Sequence, residues 1–107
     1  MKTEAAILWE TGGTWSVEEI ELDPPKAGEV LVEMVASGLC HSDDHARTGD
    51  LPAVTPLIGG HEGSGIVLEV GEGVSRVAPG DHVVFSFVPA CGHCQSCADG
   101  HSNLCDN

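Results

Sequence analysis

Cys91, Cys94, Cys97 and Cys105 are spaced C-x2-C-x2-C-x7-C at the end of a 107-residue chain. No hydrophobic periodicity of either two or 3.6 residues runs through this segment, so it has no apolar face by which to be held. A metal ion can supply the missing constraint. Zinc takes four ligands in a tetrahedron, and four thiolates form a closed, structural set. Each thiol loses its proton on binding, so metal affinity becomes folding energy for a lobe without a core of its own. Bacterial ferredoxins share the first two spacings, but they continue with three residues, a cysteine and a proline. Here seven residues intervene and Asp106 follows Cys105. The spacing therefore predicts a structural zinc lobe over 91–105, with His93 and His101 as bystanders.

The composition narrows the setting. Only four Lys+Arg stand against 17 Asp+Glu, a formal net charge of −13. That balance opposes binding to nucleic acid or to an anionic membrane surface. No apolar run approaches the ~20 residues of a membrane span, and no leader-like segment opens the chain, so a cytoplasmic location is expected. In that reducing setting an odd count of five cysteines favours metal or catalytic use over disulfides. The 41% apolar content and 14 glycines fit one turn-rich globular domain. With four aromatic residues, its core must rest on Val, Leu, Ile and Ala.

The pattern predicts a largely buried strand over Glu4–Trp9, a partly solvated one over Ser16–Leu22, and a third over Val30–Ala36. A short helix is expected over Ser42–Thr48. Ser42 would be its N-cap, Asp43 and Asp44 would lie in its first turn, and Arg47 and Gly49 would mark its end. Further strands are expected at Ile66–Val70 and His82–Val88, the second entered through a Pro79-Gly80 type II turn. Short strands joined by Gly/Pro turns predict a small barrel or sandwich.

Cys40 stands apart from the other four, within "GLCHSDDH". A catalytic zinc uses three protein ligands and leaves one position open, and Cys40 and His61 are ligand types set beside glycine-containing backbone. Their spacing alone is equally compatible with a small buried thiol and a structural histidine.

The motifs "GLCHSDDH", "GGHEGSGIVLEVGEGV", "PGDHV" and "CGHCQSCADGHSNLC" occur in this order. Together they resemble the N-terminal part of zinc-dependent medium-chain alcohol dehydrogenases, with similarity to actinobacterial members including the nicotinoprotein branch. The resemblance implies a mainly β, GroES-like partial barrel with a short helix and the four-cysteine lobe. It implies Cys40 and His61 as catalytic-zinc ligands, with Glu62 close behind the metal. Ser42 would receive the substrate hydroxyl proton, His45 would pass it towards solvent, and Asp43 would orient His61. His41 would meet the cofactor pyrophosphate, where relatives often carry Arg. Zinc, NAD(P), a small alcohol or aldehyde substrate and a homo-oligomeric parent are implied likewise.

That family takes a further zinc ligand and its dinucleotide-binding domain from beyond the matched part. No G-x-G-x-x-G follows a strand here, and "GHEGSG" precedes one. Residues 1–107 are therefore expected to be a GroES-like catalytic-domain piece without a cofactor domain, inactive alone, with the catalytic zinc absent or poorly occupied. The alternative is a free-standing zinc-binding β module. The idle Cys40, Ser42, Asp43, His45, His61 and Glu62 set favours the first reading, since a structural module needs only the lobe.

Overall fold

Alternation and β-branched content set the strands, and the backbone follows them closely. The computed structural model describes residues 1–107. Strand β1 runs over Lys2–Leu8, β2 over Ser16–Glu21 and β3 over Val30–Ser37. Helix α1 spans His41–Thr48, followed by β4 at Leu57–Ile58, β5 over Gly63–Val70 and β6 over His82–Val84. The cysteine segment holds a single helical turn, α2, at Gln95–Ala98, and a 3-10 turn at Ser102–Leu104.

The strands form two antiparallel three-stranded sheets, ordered β2-β1-β4 and β3-β5-β6, so the β layer is a partial barrel and not a closed one. In the first sheet Ile7 pairs with Ser16 on one side and Ile58 on the other. In the second, β3 and β5 pair along their length, with irregularities after Leu31 and Met34. The buried apolar residues are Ile7 and Leu8 from β1, Ala46 from α1 and Val67 from β5. Both sheets and the helix thus each contribute buried aliphatic side chains, as the shortage of aromatic residues required. No helix is long and apolar enough to cross a membrane.

Several expectations need correction. The first strand stops at Leu8, and Trp9 is exposed, its indole N–H donating to the Glu18 carboxylate on β2. The fifth strand begins at Gly63 and not Ile66, because Gly63 and Gly65 still pair with β3. A Cβ at Gly65 would collide with the Glu33 carbonyl, so close backbone approach selects glycine there. The sixth strand ends at Val84 and not Val88. Phe85 N–H makes one more bond to Gly63 O, and Ser86 Oγ then donates to Val88 O as the chain turns away. The two-residue β4 was not expected.

Helix α1 starts one residue early, with Cys40 and not Ser42 in the N-cap position. Ser42 cannot cap because its hydroxyl is engaged elsewhere, as described below. Gly49, at φ 92°, closes the helix by donating to His45 O. The Pro79-Gly80 turn is as expected, with Gly80 at φ 95° and Asp81 N–H bonded to Ala78 O. Two backbone hydrogen bonds tie the helical segment to its neighbours, one to the β1–β2 turn and one to the entry of β5. Gly12 N–H donates to Arg47 O at 2.7 Å, and Gly38 N–H donates to Glu62 O at 2.7 Å. The second sets the start of "LCHSDDH" against "HEG".

Candidate metal centres

The sulfur atoms of Cys91, Cys94, Cys97 and Cys105 all lie within 4.8 Å of one another. Cys94 Sγ and Cys105 Sγ are 3.9 Å apart. A tetrahedron with Zn–S of about 2.3 Å places its sulfurs about 3.8 Å apart, so the cage has the right size. Backbone N–H groups point at it throughout. Cys91 N–H donates to Cys105 Sγ at 3.3 Å, and His93 and Cys94 N–H donate to Cys91 Sγ at 3.4 and 3.2 Å. Cys97 and Asp106 N–H donate to Cys94 Sγ at 3.4 and 3.5 Å.

Such donors favour thiolate over thiol. The His93 N–H, helped by the Asn107 amide, holds Cys91 down to about 6. Cys94 is lowered too, by the N–H groups of Asp106 and then Cys97. Cys97 moves the other way. The Gly92 N–H pulls it down, but desolvation and its three sulfur neighbours push it up to about 11. Four crowded sulfurs cannot all carry charge without a cation, and a divalent ion resolves that conflict. The donor set therefore fits zinc. His93 and His101 supply no atom to the cage, in line with their expected bystander place.

A second donor group joins Cys40, His61 and Glu62, whose ligand atoms also lie within 4.8 Å of one another. Cys40 comes from the β3–α1 junction, while His61 and Glu62 come from the segment entering β5. Ser42 Oγ sits between the first two, 3.1 Å from Cys40 Sγ and 3.3 Å from His61 Nε2. On the other ring edge, His61 Nδ1 is 3.4 Å from Asp43 Oδ1, with side-chain exposures of 19% and 26%. The Asp43 carboxylate thus favours a proton on Nδ1, which leaves Nε2 to face the cluster. The Phe87 ring packs against His61 at 4.6 Å between centroids, tilted by 54°.

The Ser42 hydroxyl, then its backbone N–H, then His61 lower the Cys40 thiol. His61 is raised, first by its hydrogen bond to Cys40 and, against desolvation, by the charges of Asp43, Cys40 and Glu62. Both shifts favour the charged forms of Cys40 and His61. A soft thiolate, an imidazole and a carboxylate suit zinc as well. Asp43 also borders a cleft of about 310 Å³ between Trp15 and Leu39.

His45 and His41 stand outside this cluster. His45 Nδ1 is 3.4 Å from Asp50 Oδ2, and the His41 ring stacks on His45 at 4.5 Å and 19°. His41 Nε2 lies 3.9 Å from Asp44 Oδ2. No side chain hydrogen-bonds to both Ser42 and His45. Phe87 and Asp50 were not singled out from the sequence. Gly49, which ends α1 and turns Asp50 back, was the signal available for Asp50. None pointed to Phe87.

The family described as alcohol dehydrogenase GroES-like domain matches residues 26–107. Alcohol dehydrogenase B of Mycobacterium tuberculosis is 57% identical over 107 residues, covering 99% of this chain and 28% of that protein. The NDMA-dependent alcohol dehydrogenase of Amycolatopsis methanolica is 56% identical over 106 residues, covering 99% and 29%. The crystal structure of an alcohol dehydrogenase zinc-binding domain protein from Burkholderia ambifaria superposes with a TM-score of 0.92 at 43% identity, covering 99% and 28%. The chain thus spans 28–29% of the length of the curated relatives it matches. With two metal-type donor sets in order along a GroES-like β layer, the chain belongs to the alcohol dehydrogenase GroES-like domain family, the N-terminal part of zinc-dependent medium-chain alcohol dehydrogenases.

Proposed function

We propose that residues 1–107 form the catalytic-domain portion of a zinc-dependent alcohol dehydrogenase that oxidises alcohols to aldehydes or ketones. Its nicotinamide cofactor, NAD or NADP, would sit on a separate dinucleotide-binding domain. The observation that carries this reading is the Cys40–His61–Glu62 cluster with Ser42 between its first two members. A structural lobe has no use for it.

Zinc at this cluster supplies Lewis acidity that acidifies an alcohol, and the nicotinamide supplies the hydride acceptor. The residues of the chain do the rest. Asp43 fixes the His61 tautomer by accepting its Nδ1 proton, so that Nε2 is free to bind. Glu62 adds negative charge behind Cys40 and His61. Ser42 Oγ would accept the substrate hydroxyl proton as it gives up its own, which would pass by way of the cofactor ribose towards His45. His45, whose side chain is 46% exposed, passes a proton on to water. His41 offers one donor to the cofactor pyrophosphate. Cys91, Cys94, Cys97 and Cys105 hold a second zinc that fixes the lobe over 91–105.

Similarity to an NDMA-dependent relative supports the nicotinoprotein branch, in which the cofactor stays bound. A cytoplasmic, homo-oligomeric parent that binds neither nucleic acid nor membrane completes the reading. The test is zinc counting by native mass spectrometry on the full-length protein, together with alcohol-dependent formation of reduced nicotinamide, free or bound. Two zincs per chain are expected, one of them lost in Cys40→Ser along with turnover. A single zinc held in the lobe, with no turnover of any alcohol, overturns the reading in favour of a free-standing zinc-binding β module.

A further inference from the structure

We propose that Asp50 is the positioning residue for His45, holding its imidazole in one orientation and one tautomer with Nδ1 protonated and Nε2 free to accept. The inference rests on the reading of His45 as the residue that releases the proton.

The placement begins with the end of α1. Gly49 reverses the chain, and both Gly49 and Leu51 N–H donate to His45 O, at 3.1 and 3.0 Å. This double cap folds residue 50 back over the last turn. Asp50 Oδ2 then lies 3.4 Å from His45 Nδ1 and 3.1 Å from Thr48 Oγ1. Thr48 Oγ1 also lies 3.3 Å from His45 O, so the carboxylate and the helix-end carbonyl share one hydroxyl proton. The flat side of the ring is covered by His41, stacked at 4.5 Å.

The imidazole is therefore held by its backbone, along one edge and on one face. The titratable groups facing it are Asp50 and His41, with Asp44 behind His41 at 3.9 Å. A carboxylate can only accept, so its partner nitrogen carries the proton and the other is basic. The hydrogen bonds from His45 and then Thr48 keep the Asp50 carboxyl below its usual range, so it remains an acceptor wherever histidine titrates. The same logic, an acid that sets the tautomer of a proton-carrying histidine, operates in hydrolase triads. A carboxylate serving only to close the helix would need Thr48 and not the ring edge.

Asp50→Asn discriminates between the two, since an amide can donate to Nδ1 and so place the proton on Nε2. The experiment uses full-length protein labelled with 15N-histidine, with His45 signals assigned by their loss in His45→Gln. Asp50→Asn is expected to shift His45 away from the Nδ1-protonated tautomer and to lower kcat about fivefold with KM little changed. That is below the ~10²-fold typical of a general acid–base group, because Asp50 is 73% exposed and water substitutes in part. Asp50→Glu restores both readouts in part. An unchanged tautomer in Asp50→Asn overturns the inference whatever the activity. If His45→Gln turns over as fast as the parent, the relay reading fails and the inference fails with it. If His45→Gln is slow while Asp50→Asn is not, the inference alone fails.

Discussion

The two donor clusters differ in how the chain assembles them. The lobe draws four like ligands from Cys91 to Cys105, and five backbone N–H groups between Cys91 and Asp106 aim at the sulfurs. Local sequence makes the site, and the site makes the local fold. The Cys40 cluster instead joins three unlike ligands from two segments that meet because β3 and β5 are paired. Its fold exists before any metal arrives. Its side chains accordingly remain free for other work: Ser42 lies within 3.3 Å of two of the donors, and Asp43 lies 3.4 Å from the other edge of the His61 ring. A metal that builds structure and a metal that does chemistry are thus told apart by what holds the ligands in place.

The largest test removes one ligand from each. A four-ligand zinc site contributes about 10–16 kcal/mol to folding in small zinc domains. Cys94→Ser also removes the acceptor of the Cys97 and Asp106 N–H groups. The expected result is loss of the lobe zinc and several kcal/mol of local stability, with amide exchange over 91–107 rising to that of an open chain while β1–β5 stay protected. Cys40→Ser should lose only the other ion and leave exchange in the lobe as it was. Equal loss of protection in the two variants would break the distinction.

A smaller effect concerns support of the ligand. Asp43→Asn keeps the shape but weakens the acceptor for His61 Nδ1. Loss of such a partner costs about 10–100-fold in metal affinity or activity. Competition with a zinc-buffering dye should show that loss at the Cys40 site and none at the lobe.

These contrasts explain what the sequence alone could disclose. The lobe was legible because its ligands are contiguous and alike, so spacing carries the geometry. The strands over Ser16–Glu21 and Val30–Ser37 were legible through alternation and apolar runs. By contrast, β4 is two residues long and has no period to read. The start of β5 was hidden because Gly63 and Gly65 are poor strand formers by propensity, chosen here for backbone proximity. Ser42 looked like a cap because serine favours that position, but the helix begins at His41, and the hydroxyl lies between Cys40 and His61. Cys40 and His61 could be paired only through resemblance to a family, because their meeting depends on β3–β5 register. Gly49 signalled a turn at Asp50, but the contact with His45 depends on the left-handed geometry of that turn, which spacing does not show.

The finest test asks whether Glu62 belongs to the second cluster as a donor or merely lies behind it. Gly38 sits directly against that carboxylate, and a Cβ there would collide with Glu62 Oε2. Gly38 has no positive φ, so its backbone accepts alanine, and the obstacle is the far end of a flexible side chain. Gly38→Ala should therefore cost under about 1 kcal/mol of stability, as most mild substitutions do. It should turn Glu62 away from Cys40 and His61 without touching either. If Glu62 is a donor, zinc affinity at this site falls about tenfold, near the low end for a disturbed ligand environment. Unchanged affinity would leave Cys40 and His61 as the pair this segment supplies, and would make the contrast with the self-sufficient lobe sharper still.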